Sequence, residues 1–204
     1  MDLKNTFGEL VEKLHQQKPV IHAITNYVTA ESCADITLAA GGSPVMADEP
    51  EEVEEITAGA KALVINLGTL NFNKQIAMER SAMVAKKKGI PVVLDPVGVM
   101  ASTMRLDFAL KLLNKGYIDI VRGNFSECQA LLLGKTGGHG VDNMEAGVEE
   151  GEALKTAKDA ATKFNCVFAV TGAVDNISNG KQAVVLNNGH PLLQDITGSG
   201  CMTT

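Results

Sequence analysis

Gly198-Ser199-Gly200-Cys201 concentrates more chemistry than any other stretch of this chain. Glycines let backbone N–H groups converge with no Cβ in the way, and a helix starting there adds the partial positive charge of its first turn. The result is a cradle for an anion, either phosphate or a developing oxyanion. Cys201 stands at its mouth and reads either as a reactive thiol or as a small residue packed beneath a glycine turn. Other polar residues could serve the same centre. Asp95 and Glu127 are carboxylates able to hold Mg²⁺, largely through its water shell. Arg122 and Thr171 could hold phosphate oxygens. Glu127 also reads as a first-turn helix carboxylate behind a cap at Asn124, favourable for the dipole alone.

These residues need a scaffold, and the hydrophobic periods supply one. Strand-like apolar runs fall at 19–24, 62–67, 90–94, 118–121 and 166–170, with a short extended piece at 43–46. Helical periods lie between them, at 7–17, 29–40, 51–57, 73–88, 103–115, 126–133 and 152–164. Thr29 is placed to cap the second helix, and Ile76, Met83 and Val84 to form the inner face of the fourth. The glycine-rich section 134–151 reads as a loop. Asn179-Gly180 between 173–177 and 182–186 predicts a β-hairpin. Alternating strands and helices imply right-handed βαβ units and a mainly parallel sheet covered on both faces. No linker or fixed repeat interrupts them, so residues 1–204 are expected to form one α/β domain.

In such a sheet, ligands bind just beyond the carboxyl ends of the strands. Thr25-Asn26, Asn66-Leu67-Gly68, Asp95, Arg122-Gly123-Asn124 and Thr171-Gly172 all follow strands and belong to one polar crevice. Gly134-Lys135-Thr136 looks like the end of a P-loop, but that motif needs a glycine where Gln129 stands. No GxGxxG opens a βα unit, so a standard dinucleotide site has no support. His15, His22, His139 and His190 are solitary, with no metal-ligand spacing.

Composition narrows the partners. Lys+Arg 18 against Asp+Glu 24 gives a net charge of −6, and Lys86-Lys87-Lys88 is the only basic run. Nucleic acid is not expected as a partner. No apolar run approaches the roughly 20 residues of a membrane helix. The N-terminus has no signal-peptide pattern, and the four scattered cysteines read as reduced thiols, so a cytoplasmic location is expected.

The sequence resembles the bacterial hydroxyethylthiazole kinases, ribokinase-like enzymes of thiamine salvage. Val20 to Val28, Gly41-Gly42-Ser43-Pro44-Val45-Met46-Ala47 and Leu67-Gly68-Thr69-Leu70 carry the likeness. So do Leu94-Asp95-Pro96-Val97-Gly98, Arg122 to Glu127, Val170-Thr171-Gly172 and Thr197 to Cys201. They span nearly the whole chain in family order. The resemblance implies a ribokinase-like fold and phosphorylation of 4-methyl-5-(2-hydroxyethyl)thiazole by ATP with Mg²⁺. It implies that Met46 and Gly198 contact the thiazole and that Asn26 and Gly68 line its pocket. Arg122, Thr171 and Asn124 fall to ATP, and Asp95 and Glu127 to Mg²⁺. Gly198, Gly200 and Cys201 fall to catalysis, with Cys201 in the place where related sugar kinases carry an aspartate base. A thiol with an ordinary pKa of about 8.5 should ionise more readily beside a helix N-terminus. The family also implies a homotrimer with active sites between subunits.

The chain stops at Thr204, three residues past Cys201, where family members continue through further helices. It is therefore expected to be a fragment of a longer protein, or a form that binds and turns over weakly. The alternatives are a hydroxymethylpyrimidine or pyridoxal-type kinase, a ribokinase-like ADP-dependent dehydratase, and an inactive assembly fragment.

Overall fold

The computed structural model describes residues 3–137 and 151–204. Most of the glycine-rich section 134–151, His139 included, lies outside them. The helices are α1 (Leu3–Gln17), α2 (Ala30–Ala39), α3 (Val53–Gly59), α4 (Phe72–Lys88), α5 (Thr103–Asn114), α6 (Phe125–Leu133), α7 (Glu152–Phe164) and α8 (Ser199–Met202). The strands are β1 (Val20–Ile24), β2 (Ser43–Val45), β3 (Ala62–Asn66), β4 (Val92–Asp95), β5 (Ile120–Asn124), β6 (Val167–Thr171), β7 (Asp175–Ser178) and β8 (Ala183–Leu186). They form one sheet in the order β2-β1-β3-β4-β5-β6-β7-β8. Pairing is parallel through β6, and β7 and β8 add the expected antiparallel hairpin, Ser178 opposite Ala183.

One face of the sheet is closed by helices, whereas Ile21, Ala23, Val64, Val93, Ile120 and Ala169 on the other are only half-buried, so the expected cover on both faces is partial. Ile24, Leu63, Ile65, Leu94, Val121 and Phe168 are fully buried. The helices α3 to α7 pack side by side along the sheet. On the β1-β3-β4 side, Ile21, Ala23, Val64 and Val93 line a cavity of about 320 Å³ with Leu14 of α1, Cys33 and Ile36 of α2, and Cys201 and Met202 of α8.

Two local expectations need correction. The buried face of α4 is Ala77, Met78, Ser81, Ala82 and Ala85, while Ile76, Met83 and Val84 are only half-buried beside it. Small residues win that face because they let helix and sheet approach closely. Thr29 does precede α2, but its hydroxyl makes no cap. Asn26 instead fixes the turn that leads into the helix: its Oδ1 accepts from the N–H groups of Val28 and Thr29, both at 3.0 Å, and from the Thr29 hydroxyl at 3.1 Å.

His22, solitary in sequence, is a buried tie. Its Nδ1 lies 2.8 Å from Thr57 Oγ1, and its Nε2 lies 2.9 Å from Ala47 O. A carbonyl can only accept, so Nε2 carries the proton and Nδ1 takes the threonine hydroxyl. Burial lowers its pKa below the ordinary 6.5. The unfolded chain therefore binds the proton first, and stability is lost as pH falls below about 6.5. Replacing His22 by glutamine should flatten this loss, so the Tm gap between wild type and variant narrows from pH 7.5 to pH 5.5. A constant gap would show that His22 does not stay neutral.

Candidate active site

Parallel pairing brings the carboxyl ends of β1, β3, β4, β5 and β6 to one edge. Asn66 sits opposite Asp95, and Asn124 opposite Thr171. At this edge Asn66, buried and easily passed over in sequence as a turn residue, is the hub. Its Oδ1 accepts from Asn26 Nδ2 at 3.1 Å and from the Gly68 N–H at 2.9 Å. Its own Nδ2 donates to Asp95 Oδ2 at 2.8 Å. Asn26 Nδ2 also reaches to 3.4 Å from Cys201 Sγ. Gly68 is glycine for space: a Cβ there would fall 2.7 Å from Asn26 Cβ and 2.9 Å from Asn66 Oδ1. Beside it Thr69 holds φ at 48°, a left-handed conformation that a β-branched residue adopts only under constraint.

The two carboxylates are buried and unlike each other. Asp95 accepts from Asn66 and, at 3.0 Å, from the Thr204 hydroxyl. Burial, then the charge of Glu127, raises its pKa to about 7, while Arg122 opposes the rise. Glu127 forms a capping box with Asn124: the Asn124 side chain accepts from the Glu127 N–H, and Glu127 Oε2 accepts from the Asn124 N–H at 3.0 Å. Its Oε1 accepts from Gly98 N–H, also at 3.0 Å. Burial raises its pKa as well, held in check by those backbone donors and by Arg122. The cap reading of Glu127 is thus correct, and it leaves each oxygen a second lone pair. Two buried carboxylates strained towards protonation suit a hydrated divalent cation. Among the described residues no group of three or more acidic, histidine or cysteine side chains forms a ligand cage.

The glycine loop closes the crevice from the other side. Gly198 has φ 77°, and a Cβ there would overlap the Thr29 methyl group. The N–H groups of Gly200 and Cys201 fall in the first turn of α8, where a helix has no preceding carbonyl to offer them. Arg122 Nη1 donates to Gly200 O at 2.7 Å, while Arg122 Nε is buried with no hydrogen-bond partner among the described residues. That orphaned donor beside the loop is what an anion site needs. Thr171 Oγ1 donates to Gly123 O at 3.3 Å on the neighbouring strand. Met46 follows the outer strand β2, half-buried, one residue before the carbonyl that His22 holds.

Cys201 departs from expectation in its ionisation. Burial and the charge of Asp95 raise its pKa above that of a free thiol. A four-residue helix has little dipole to set against them.

A mainly parallel, helix-covered sheet ending in an antiparallel hairpin, with its polar crevice at the carboxyl edge, is the ribokinase-like kinase architecture. A solved pyridoxal kinase of Bacillus subtilis, crystallised as an ADP complex, matches it with TM-score 0.61 at 17% identity, over 90% of this chain and 79% of that one. The hydroxyethylthiazole kinase family model matches residues 11–204, and the chain belongs to that family. A hydroxyethylthiazole kinase of Ruminiclostridium cellulolyticum is 47% identical over 195 residues, covering 96% of this chain and 71% of the relative. The solved hydroxyethylthiazole kinase of Pyrococcus horikoshii OT3 matches with TM-score 0.88 and 40% identity, over 97% of this chain and 73% of that one.

Proposed function

We propose that this protein transfers the γ-phosphoryl group of ATP to the primary alcohol of 4-methyl-5-(2-hydroxyethyl)thiazole, in thiamine salvage. Family membership supports the reaction, and one observation in the geometry supports its location. Asn66 ties the Asn26–Gly68 side of the crevice to Asp95, and Asn26 in turn reaches Cys201. An acceptor pocket and an anion site are thereby joined through two asparagines.

In this reading the thiazole lies among Met46, Asn26, Gly68 and Gly198, with its hydroxyl towards Cys201. The alcohol oxygen bonds to the γ-phosphorus as the bond from that phosphorus to the ADP oxygen breaks, and the proton passes to Cys201 Sγ in the fraction of molecules that carry it as a thiolate. The Gly200 and Cys201 N–H groups face the charge spreading over the transferring group. Arg122, Thr171 and Asn124 hold the nucleotide. Asp95 and Glu127 would hold Mg²⁺ through its water shell, and the ion would supply charge neutralisation at the phosphates. The protein acts in the cytoplasm as a homotrimer, with residues 1–204 as one kinase domain.

Because burial and the charge of Asp95 favour the protonated thiol, its share as base is modest and grows as pH rises. Replacing Cys201 by alanine should lower kcat about tenfold at pH 7 and leave ATP binding unchanged. It should also abolish the alkaline rise of kcat, and a variant that kept the rise would remove the base role. A panel of the thiazole alcohol, hydroxymethylpyrimidine and pyridoxal, each with ATP and Mg²⁺, tests the substrate. The thiazole should give the highest kcat/KM, and faster turnover of either rival would reassign it.

A further inference from the structure

Lys74 is a charge in two unfavourable places at once. It lies in the first turn of α4, where the helix dipole repels a cation. Its side chain is only 7% exposed, so little water compensates it. An ordinary surface lysine would occupy neither position, so its partners must justify it. Nζ donates to Thr25 O at 2.7 Å and stands 3.7 Å from Asp48 Oδ2. The Tyr27 ring lies 5.9 Å away. Thr25 O belongs to the peptide that leads into Asn26, Asp48 is two residues beyond Met46, and Lys74 itself follows Gly68 through a single short loop. Three of the four loops that carry the proposed acceptor-pocket residues, those of Asn26, Met46 and Gly68, therefore meet at one ammonium.

We infer that Lys74 is a positioning residue for the acceptor alcohol, locking the turn that holds Asn26 against Asn66 and fixing the loop behind Met46. The assignment rests on the kinase reading above. The Thr25 carbonyl carries most of the effect, because the Asp48 carboxylate is half exposed and its pair is long. With the ammonium removed, the 25–29 turn loses its anchor, and Asn26 no longer presents its amide to Asn66 and Cys201. The nucleotide side is built from β5, β6 and α6, away from the groups that Lys74 holds, and should not respond.

The test is a comparison of Michaelis constants in Lys74→Met. KM for the thiazole alcohol should rise about tenfold, while kcat falls less than threefold and KM for ATP stays within twofold of wild type. Lys74→Arg, which keeps charge and donors, should bring KM for the alcohol back to within about threefold. Lys111→Met, a surface charge on α5, should change neither constant. Equal losses for both substrates, or a lower Tm with both constants unchanged, would overturn the assignment. Should Lys74→Met fail to fold, Lys74→Gln retains a donor without the charge and is judged by the same split between substrates. Side-chain amide resonances give a readout that needs no turnover. Lys74→Met should shift the Asn26 and Asn66 signals and leave that of Asn124 in place, and an unmoved Asn26 signal would refute the lock. A wild type that fails to phosphorylate the alcohol would count against the kinase reading alone, whereas an active wild type with an unaffected variant would count against Lys74 alone.

Discussion

Replacing Asp95 by asparagine should lower turnover at least about a hundredfold and, in the same protein, raise Tm at pH 8 by about 5 °C. Both effects come from one buried carboxylate. Its pKa of about 7 in the fold, against 3.8 ordinarily, means the folded state holds the proton more tightly than the unfolded chain. Stability attributable to Asp95 is therefore gained as pH falls from about 7 towards 4, and above pH 7 the buried charge destabilises the fold. A rise of that size corresponds to at most about 4 kcal/mol, and relaxation around a buried group brings the expected gain to about 2 kcal/mol. Asparagine removes the charge and still accepts from Asn66 and Thr204. The stabilisation should shrink at pH 5, where the wild-type carboxyl is already protonated. Thermal melts in EDTA at the two pH values check this, and a variant less stable than wild type at pH 8 would show that the carboxylate is not strained.

The second large effect is at Gly198. Alanine there must hold φ near 77° and drive its Cβ into the Thr29 methyl group. The left-handed backbone alone costs about 1 kcal/mol, and the overlap forces either α8 or α2 to move. Displacing α8 moves Gly200, Cys201 and the Arg122 contact together, so kcat should fall by at least about a hundredfold while the rest of the fold survives. Thr29→Ser removes the methyl group, so adding it to Gly198→Ala should recover about tenfold of the lost kcat. No recovery would locate the defect in the backbone angle alone.

The scaffold was largely legible in the sequence, and the site was only partly so. The carboxyl-edge rule placed Asn26, Gly68, Asp95, Arg122 and Thr171 at the one sheet edge where the fold puts them, because apolar runs ending in polar residues report strand ends directly. The α7 span, Glu152–Phe164, and the Asn-Gly hairpin follow from equally local signals. Asn66 did not stand out as the hub, since its role depends on facing Asp95 across two strands, a register no local pattern encodes. Lys74 was invisible for a related reason: a lysine in a first turn looks solvated until the fold lays Thr25 O beside it. The expected inner face of α4 failed because hydrophobicity ranks isoleucine above alanine, whereas a close-packed helix selects for size. Cys201 does stand at the crevice, but its expected ready ionisation fails, since burial and Asp95 outweigh the short helix that it begins.

The proposed reaction is tested most directly by phosphorus NMR of the purified protein incubated with ATP, Mg²⁺ and the thiazole alcohol, beside the same mixture with Asp95→Asn. A phosphate monoester of the thiazole should accumulate in step with ADP in the wild type, with the Asp95→Asn sample at least about a hundredfold slower. ATP unchanged, or hydrolysed to free phosphate with no ester in the wild-type sample, would contradict phosphoryl transfer to the thiazole.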